Sequence, residues 1–344
     1  MDVAVLGATG DIGRQVCTQL IERRVLPTSS RLQLVGRPGG ASARATYGLR
    51  ADLMDAYDEH APLIDVALDP HDLVADVIVV AAGRTTPSTA GGSTDRSQLA
   101  ADNHAVFESY AQALAAHGSG HEVVVVVSNP VELGVAVMAR ALGRHRVIGM
   151  GAWLDTLRFR REIAVSLGLR RHRIGGFVAG QHGMDLVPLW STVRVSGLDV
   201  AERRRAIDGL RRGRTLATFG AELADAQARL LAIAAQVARP WMTHQSGSKT
   251  AAGTANATVE LVDTLLDGRE IVVAGQVALA GEVSVGGHRL DGVLGVPVVL
   301  GPEGWTRVLL DEPAPDETEL LLQCRDRIDA TLAPWDLGRP GAAA

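Results

Sequence analysis

"VAVLGATGDIG" (residues 3–13) is an apolar run that breaks into glycines at positions 7, 10 and 13 and is followed by the helical pattern "IGRQVCTQLIERR" (12–24). Strand, turn and helix in that order predict the opening of a βαβ unit. Gly7, Gly10 and Gly13 allow a tight turn and let backbone approach a pyrophosphate. Asp11, Ile12 and Gly13 then begin a helix whose N–H groups and dipole attract that anion. The bland alternative is that the glycines serve only close helix–strand packing.

Working outward, "RLQLVG" (31–36), "DVIVVAAG" (76–83) and "EVVVVVSNP" (122–130) are further short apolar runs, with "RVIGM" (146–150) as one more strand. Runs apolar at every position suit strands buried on both faces, as in a parallel sheet. Helical patterns lie between them, such as "ADNHAVFESYAQALAAHG" (101–118). The expected fold is α/β: a Rossmann-type doubly wound parallel sheet over 1–150.

The pattern then changes. "LDTLRFRREIAVSLGL" (154–169) reads as a helix, "IGGFVAG" and "TVRVSGL" as strands, and 201–237 as a long helical stretch. "GTANATVELVDTLL" (253–266) is another helix, and "EIVVAGQVAL", "VSVGG" and "GVPVVLG" suggest an antiparallel sheet before a last helix, "PDETELLLQCRDRIDATLA" (315–333), whose Asp316 and Glu317 suit a helix N-terminus. We therefore expect a C-terminal α+β substrate domain over 151–335 and a frayed tail over 336–344.

The second strand ends "LQLVGRPGG", with Gly36 and Arg37 where an NAD site usually carries an acidic residue for the ribose diol. Loss of that carboxylate removes repulsion from a 2′-phosphate, and a guanidinium would attract it. With Ser42 and Arg44 close behind, the reading favours NADP(H) over NAD(H). Against it, Arg37 is also free to point to solvent or stack on the adenine.

Composition narrows the function class. A net charge of −5 over 344 residues gives no reason to expect nucleic acid or an anionic membrane as partner. Two cysteines, Cys17 and Cys324, lie outside any CxxC pattern, which argues against a disulfide framework or zinc site and fits a reducing cytosol. The chain opens on a strand, leaving no room for a signal peptide, and "EVVVVVSNPVELGVAVMARAL" is interrupted by Asn129, Pro130 and Glu132 before it could span a bilayer. A cytoplasmic protein with a small-molecule substrate is expected.

"GQHGMDLVPLW" (180–190) sets His182 between glycines just after a strand, and "WLDTLRFRREIA" places Asp155 and Arg158 three apart on one helix face. Histidine exchanges a proton near neutral pH, Asp can orient it, and Arg can grip a planar carboxylate through two parallel bonds. The same spacing also produces ordinary intrahelical ion pairs, and a lone histidine is often structural.

Taken together, "GATGDIG", "DRSQLAADN", "SNPVE", "LDTLRFR", "GQHGMDLVPLW" and "GVPVVLG" occur in the order found in the lactate/malate dehydrogenases, and the chain resembles that family along nearly its whole length. The "GR" at 36–37 looks like the NADP-using branch of its malate dehydrogenases. The resemblance implies an NAD(P)-dependent dehydrogenase of 2-hydroxy acids, or reductase of 2-oxo acids. His182 would be the acid/base, Asp155 its orienting partner, and Arg158 the clamp on the C1 carboxylate. Arg96 would polarise the carbonyl from a closing loop, while Asn129 would bond near the reacting oxygen and help place the nicotinamide. Asn103, in "DRSQLAADN", would join Gly7, Gly10, Asp11, Ile12, Gly13, Gly36, Arg37 and Asn129 at the cofactor. A homodimer or homotetramer is implied as well.

The chain departs from the family in the segment "RTTPSTAGGSTDRSQLAADN" (84–103). Malate enzymes carry an arginine, and lactate enzymes a glutamine, six residues before the catalytic arginine; here that position is Ala90, and the loop looks about four residues longer than usual. Arg84 could reach inward, or could simply mark the strand's end. Of the 34 basic residues only Lys249 is a lysine, in "HQSGSKTAAGTA", where the family builds the far wall of its substrate pocket. It could pair with a second anionic group or face solvent. We expect a substrate altered at its distal end, carrying a carboxylate or phosphonate. Short-chain dehydrogenases need Tyr-x-x-x-Lys, and Gln245 stands at the tyrosine position. The rival from another class is a non-catalytic dinucleotide-binding sensor or scaffold that kept the fold.

Overall fold

The computed structural model describes residues 1–84, 96–183, 185–211 and 251–338. They form two compact units, one of residues Met1–Met150 with 248–272 and 299–307, the other of Gly151–Gly247, 273–298 and 308–344.

In the first unit β1 (Val3–Leu6), β2 (Arg31–Val35), β3 (Leu63–Ala67), β4 (Val77–Val80), β5 (Val123–Val126) and β6 (Val147–Gly149) lie in the order β3-β2-β1-β4-β5-β6. Every pairing among them is parallel. The central strands β1, β4 and β5 are buried at every position, as the apolar runs required. This is the doubly wound Rossmann order, in which the strand order reverses between β1 and β4. A crevice for ligand opens beyond the carboxyl ends of the strands at such a switch point. The helices are α1 (Asp11–Glu22), α2 (Gly40–Tyr57), α3 (Arg96–His117) and α4 (Val131–Leu142). The most apolar stretch of the sequence divides into β5 and α4, with Pro130 at the helix N-cap. That helix is apolar almost all round because it is buried almost all round.

The second unit begins with α5 (Gly151–Ser166) and β7 (Ile174–Gly180), which pairs antiparallel with β8 (Leu186–Val195). Then come α6 (Val200–Arg211), α7 (Ala251–Asp267), β9 (Ile271–Val285), β10 (His288–Gly301), β11 (Gly304–Val308) and α8 (Pro315–Leu332). Of these, α7 and all but the last residue of β11 belong to the first unit, where α7 packs on α1. Phe159, Ile163, Val178, Trp190 and Val193 make the second unit's core, with the Phe159 and Trp190 rings edge to face at 5.0 Å. Both cysteines are fully buried, and burial pushes the Cys17 thiol up to about 12. No helix among the described residues is long and apolar enough to cross a membrane.

Some local expectations are corrected. "EIVVAGQVAL" and the "VSV" of "VSVGG" lie on one continuous strand, β9, which runs through Gly281 without a break, and the two glycines turn into β10. The strand in "TVRVSGL" starts earlier, at Leu186. Helix α2 and strands β3 and β11 had no counterpart in the sequence reading. Beyond Arg211 the long helix expected to 237 lies outside the described residues, as does the tail from 339.

The last helix is anchored by Glu317, 2% exposed. Its carboxylate accepts from the Ala314 N–H (3.0 Å), the Ser191 N–H (3.0 Å) and the Ser191 hydroxyl (2.7 Å), tying α8 to β8. Glu317→Ala should lower unfolding stability by about 2 kcal/mol or more, since it strands buried donors. The reading is a lower urea midpoint with unchanged slope; an unmoved midpoint would mean that these bonds contribute nothing net.

Candidate active site

In the first unit the glycine turn is shaped by close approach. Gly7 has φ +74°, and a Cβ there would stand 2.8 Å from the Ala81 carbonyl oxygen. At Gly13 a Cβ would meet the Gly7 oxygen at 2.3 Å, so α1 can approach the end of β1 only without a side chain. Gly10 stands at the N-cap with no side-chain cap, which leaves the first turn of α1, at Asp11, Ile12 and Gly13, to bind an anion. A cavity of about 930 Å³ opens in front of this turn, lined among others by Gly7, Gly10, Gly36, Arg37, Ser42 and Arg84. A bare turn, a helix N-terminus and a groove of that volume fit a dinucleotide.

Gly36 is buried, and a Cβ there would collide with Thr46 Oγ1 at 2.1 Å. The Arg37 N–H donates to Ser42 Oγ (3.0 Å), and the Arg37 side chain is exposed. Burial raises the Tyr110 hydroxyl above its ordinary value, while the positive charge of Arg37 pulls it back; both residues line the cavity. Arg44 is exposed on α2.

Asn103 is fully buried. Its side-chain oxygen accepts from the Arg84 N–H (2.7 Å), and its amide donates to the carbonyls of Arg84 (3.0 Å) and Asn129 (2.6 Å). It thereby locks the ends of β4 and β5 together, and the exposed Asn129 precedes a cis proline, Pro130. The Arg84 guanidinium pairs with Asp102 (3.0 Å), a partner the sequence reading did not name. Arg96 opens α3, but the role expected of its side chain lies outside the described residues, as do Ala90 and Lys249.

In the second unit Asp155, Arg158 and His182 meet. Asp155 and Arg158 share one face of α5, and His182 follows β7 in a turn whose Gly180 and Gly183 have φ +91° and +79°. Asp155 Oδ2 is 2.7 Å from His182 Nδ1, and Asp155 Oδ1 accepts from an Arg158 terminal nitrogen at 3.0 Å. The Asp155 side chain is wholly buried, while His182 and Arg158 are partly exposed. Burial draws the Arg158 guanidinium below its ordinary value, and the Asp155 carboxylate opposes that shift. Arg158 Nε has no hydrogen-bond partner among the described residues. The set therefore offers an oriented imidazole beside a guanidinium with an uncommitted N–H, the equipment to move a proton next to a bound carboxylate.

One supporting residue was missed. Gln276 in β9 is fully buried and its Oε1 accepts from the Ala152 N–H (3.0 Å), fixing the first turn of α5. A lone amide in the apolar run "IVVAGQVALA" was the available signal.

Residues 1–149 match the family description "lactate/malate dehydrogenase, NAD binding domain", and 152–333 match "lactate/malate dehydrogenase, alpha/beta C-terminal domain". The chain is 30% identical over 346 residues to a malate dehydrogenase of Halobacterium salinarum, covering 95% of this chain and 97% of that one. A malate dehydrogenase of Methanothermobacter marburgensis is 29% identical over 339 residues, with 95% of each chain covered. Among solved structures, the malate dehydrogenase from Aeropyrum pernix superposes with a TM-score of 0.77 at 21% identity over 100% of both chains. The lactate dehydrogenase from Eimeria maxima with NADH and oxamate gives 0.78 at 19% identity, over 98% of this chain and 97% of that one. These last two show likeness of fold. With both family descriptions matched in sequence, the chain belongs to the lactate/malate dehydrogenase family.

Proposed function

We propose that the protein is an NADP(H)-favouring 2-hydroxy acid dehydrogenase, working as a 2-oxo acid reductase in reverse, with His182 as acid/base. The observation that carries this reading is the buried chain of contacts His182–Asp155–Arg158, at 2.7 and 3.0 Å. When bound, the nicotinamide supplies or accepts the hydride. The rest is done by side chains. Arg158 holds the C1 carboxylate, using N–H groups not spent on Asp155. In reduction, the carbonyl electron pair moves onto oxygen as hydride adds to C2, and His182 protonates that oxygen from Nε2. Asp155 keeps the ring oriented through Nδ1 and stabilises the imidazolium before transfer. Arg96 polarises the carbonyl, and Asn129 bonds near the reacting oxygen. Asn103 acts by fixing the backbone of residues 84 and 129 around the cofactor.

The substrate differs at its distal end, because Ala90 stands where relatives carry the residue that reads it, and it carries a second anionic group there, a carboxylate or phosphonate, for a cation to pair with. Lys249 and Arg84 are the cations assigned to it, although Arg84 is paired with Asp102. The working form is a homodimer or homotetramer in the cytoplasm.

The reading is tested by following NADPH and NADH oxidation with oxaloacetate, pyruvate and longer or phosphonate-bearing 2-oxo acids. NADPH-linked turnover, faster for a panel member than for oxaloacetate, is expected. Cofactor binding without any turnover would leave a sensor or scaffold instead. Arg158→Lys keeps the charge but loses the planar fork, so kcat/KM should fall by about 100-fold or more; near-native kinetics would remove Arg158 from the carboxylate role. Arg37→Glu should reverse the cofactor preference by raising KM for NADPH at least tenfold, leaving NADH nearly unaffected. Equal effects on both cofactors would show that Arg37 does not read the 2′-phosphate.

A further inference from the structure

We propose that Gly151 is a positioning residue for His182: the bare Cα at the first position of α5 is the seat against which the imidazole rests. A Cβ built at Gly151 would stand 2.4 Å from His182 Cγ, 2.6 Å from its Cβ and 2.7 Å from its Nδ1. These are atoms at the root of the side chain, so rotation about its bonds cannot clear all of them. Nδ1 is also the atom that bonds Asp155. A methyl group at 151 must therefore push the ring away from its orienting carboxylate.

Neither side has room to retreat. The Ala152 N–H is held by the fully buried Gln276, which pins the first turn of α5. The turn bearing His182 is closed by a Gln181 N–H to Asp185 carbonyl bond (3.2 Å) and flanked by Gly180 and Gly183 in left-handed conformations. Gly151 itself has no positive φ. Its backbone would accept alanine, the better helix former, and the imidazole is the obstacle.

The kinetic part of this inference rests on the proposed function; the stability part does not. The test compares Gly151→Ala, His182→Gly and the double variant with the native protein, in thermal unfolding and, for Gly151→Ala, in steady-state kinetics. Gly151→Ala should lower Tm by about 3 °C or more in the native background, by overpacking. In the His182→Gly background, where the 182 Cβ and the ring are both gone, it should leave Tm unchanged or raise it. Its kcat should fall roughly 100-fold, as for an acid/base displaced by part of an ångström, with KM for the 2-oxo acid within about threefold because Arg158 is untouched. Equal Tm changes in both backgrounds, or a kcat within twofold of native, would overturn the assignment. If the native protein turned over no 2-oxo acid, the functional reading would fail while the Tm comparison still decided the seat.

Discussion

Asp155 is the constraint on which the second unit's chemistry depends. A carboxylate with no exposure to water is tolerated only if both oxygens are engaged, and here one meets His182 and the other Arg158. The arrangement binds three demands into one: the imidazole must point its Nδ1 inward, the guanidinium must lie along α5, and the helix must begin where Gln276 holds it. None of the three groups can be moved alone. Removing Asp155 would leave a largely covered guanidinium and an undirected ring, so Arg158 and His182 hold the carboxylate as much as it holds them.

The first unit solves a different problem, access of backbone to an anion. Gly7 and Gly13 remove the side chains that would separate α1 from the ends of β1 and β4. Asn103 does the complementary job with a side chain, binding the segments after β4 and β5 by three hydrogen bonds. A groove built in this way keeps its shape through backbone contacts. Side chains at its rim, such as the exposed Arg37, are not part of those contacts.

Much of this was legible in the sequence where chemistry and periodicity coincide. Runs such as "VVVVV" announced strands covered on both faces, and the three-residue interval between Asp155 and Arg158 put both on one helix face. The partnership of His182 with that helix was legible only through resemblance, because 27 residues separate it from Asp155. Helix α2 escaped because only Thr46, Leu49 and Leu53 are buried in its 18 residues, too thin a stripe to stand out. Strand β3 escaped because "LIDVA" has an exposed Leu63 and a charge at its centre. Gly151 escaped for a deeper reason: an absent side chain leaves no pattern, and its meaning exists only once a distant ring is brought against it.

The burial of both cysteines has a practical side. Cys17 lies in α1 behind the glycine turn, with a thiol held almost wholly protonated at neutral pH, and Cys324 is equally covered within α8. Thiolate is the reactive form, so Cys17 does not compete for maleimides or oxidants while the chain is folded, and burial shields Cys324 from them. The native sequence is therefore already a host for single-site labelling. One cysteine introduced at an exposed position would take a fluorophore or spin label without first deleting the natural thiols, and the two buried ones would report unfolding by becoming reactive.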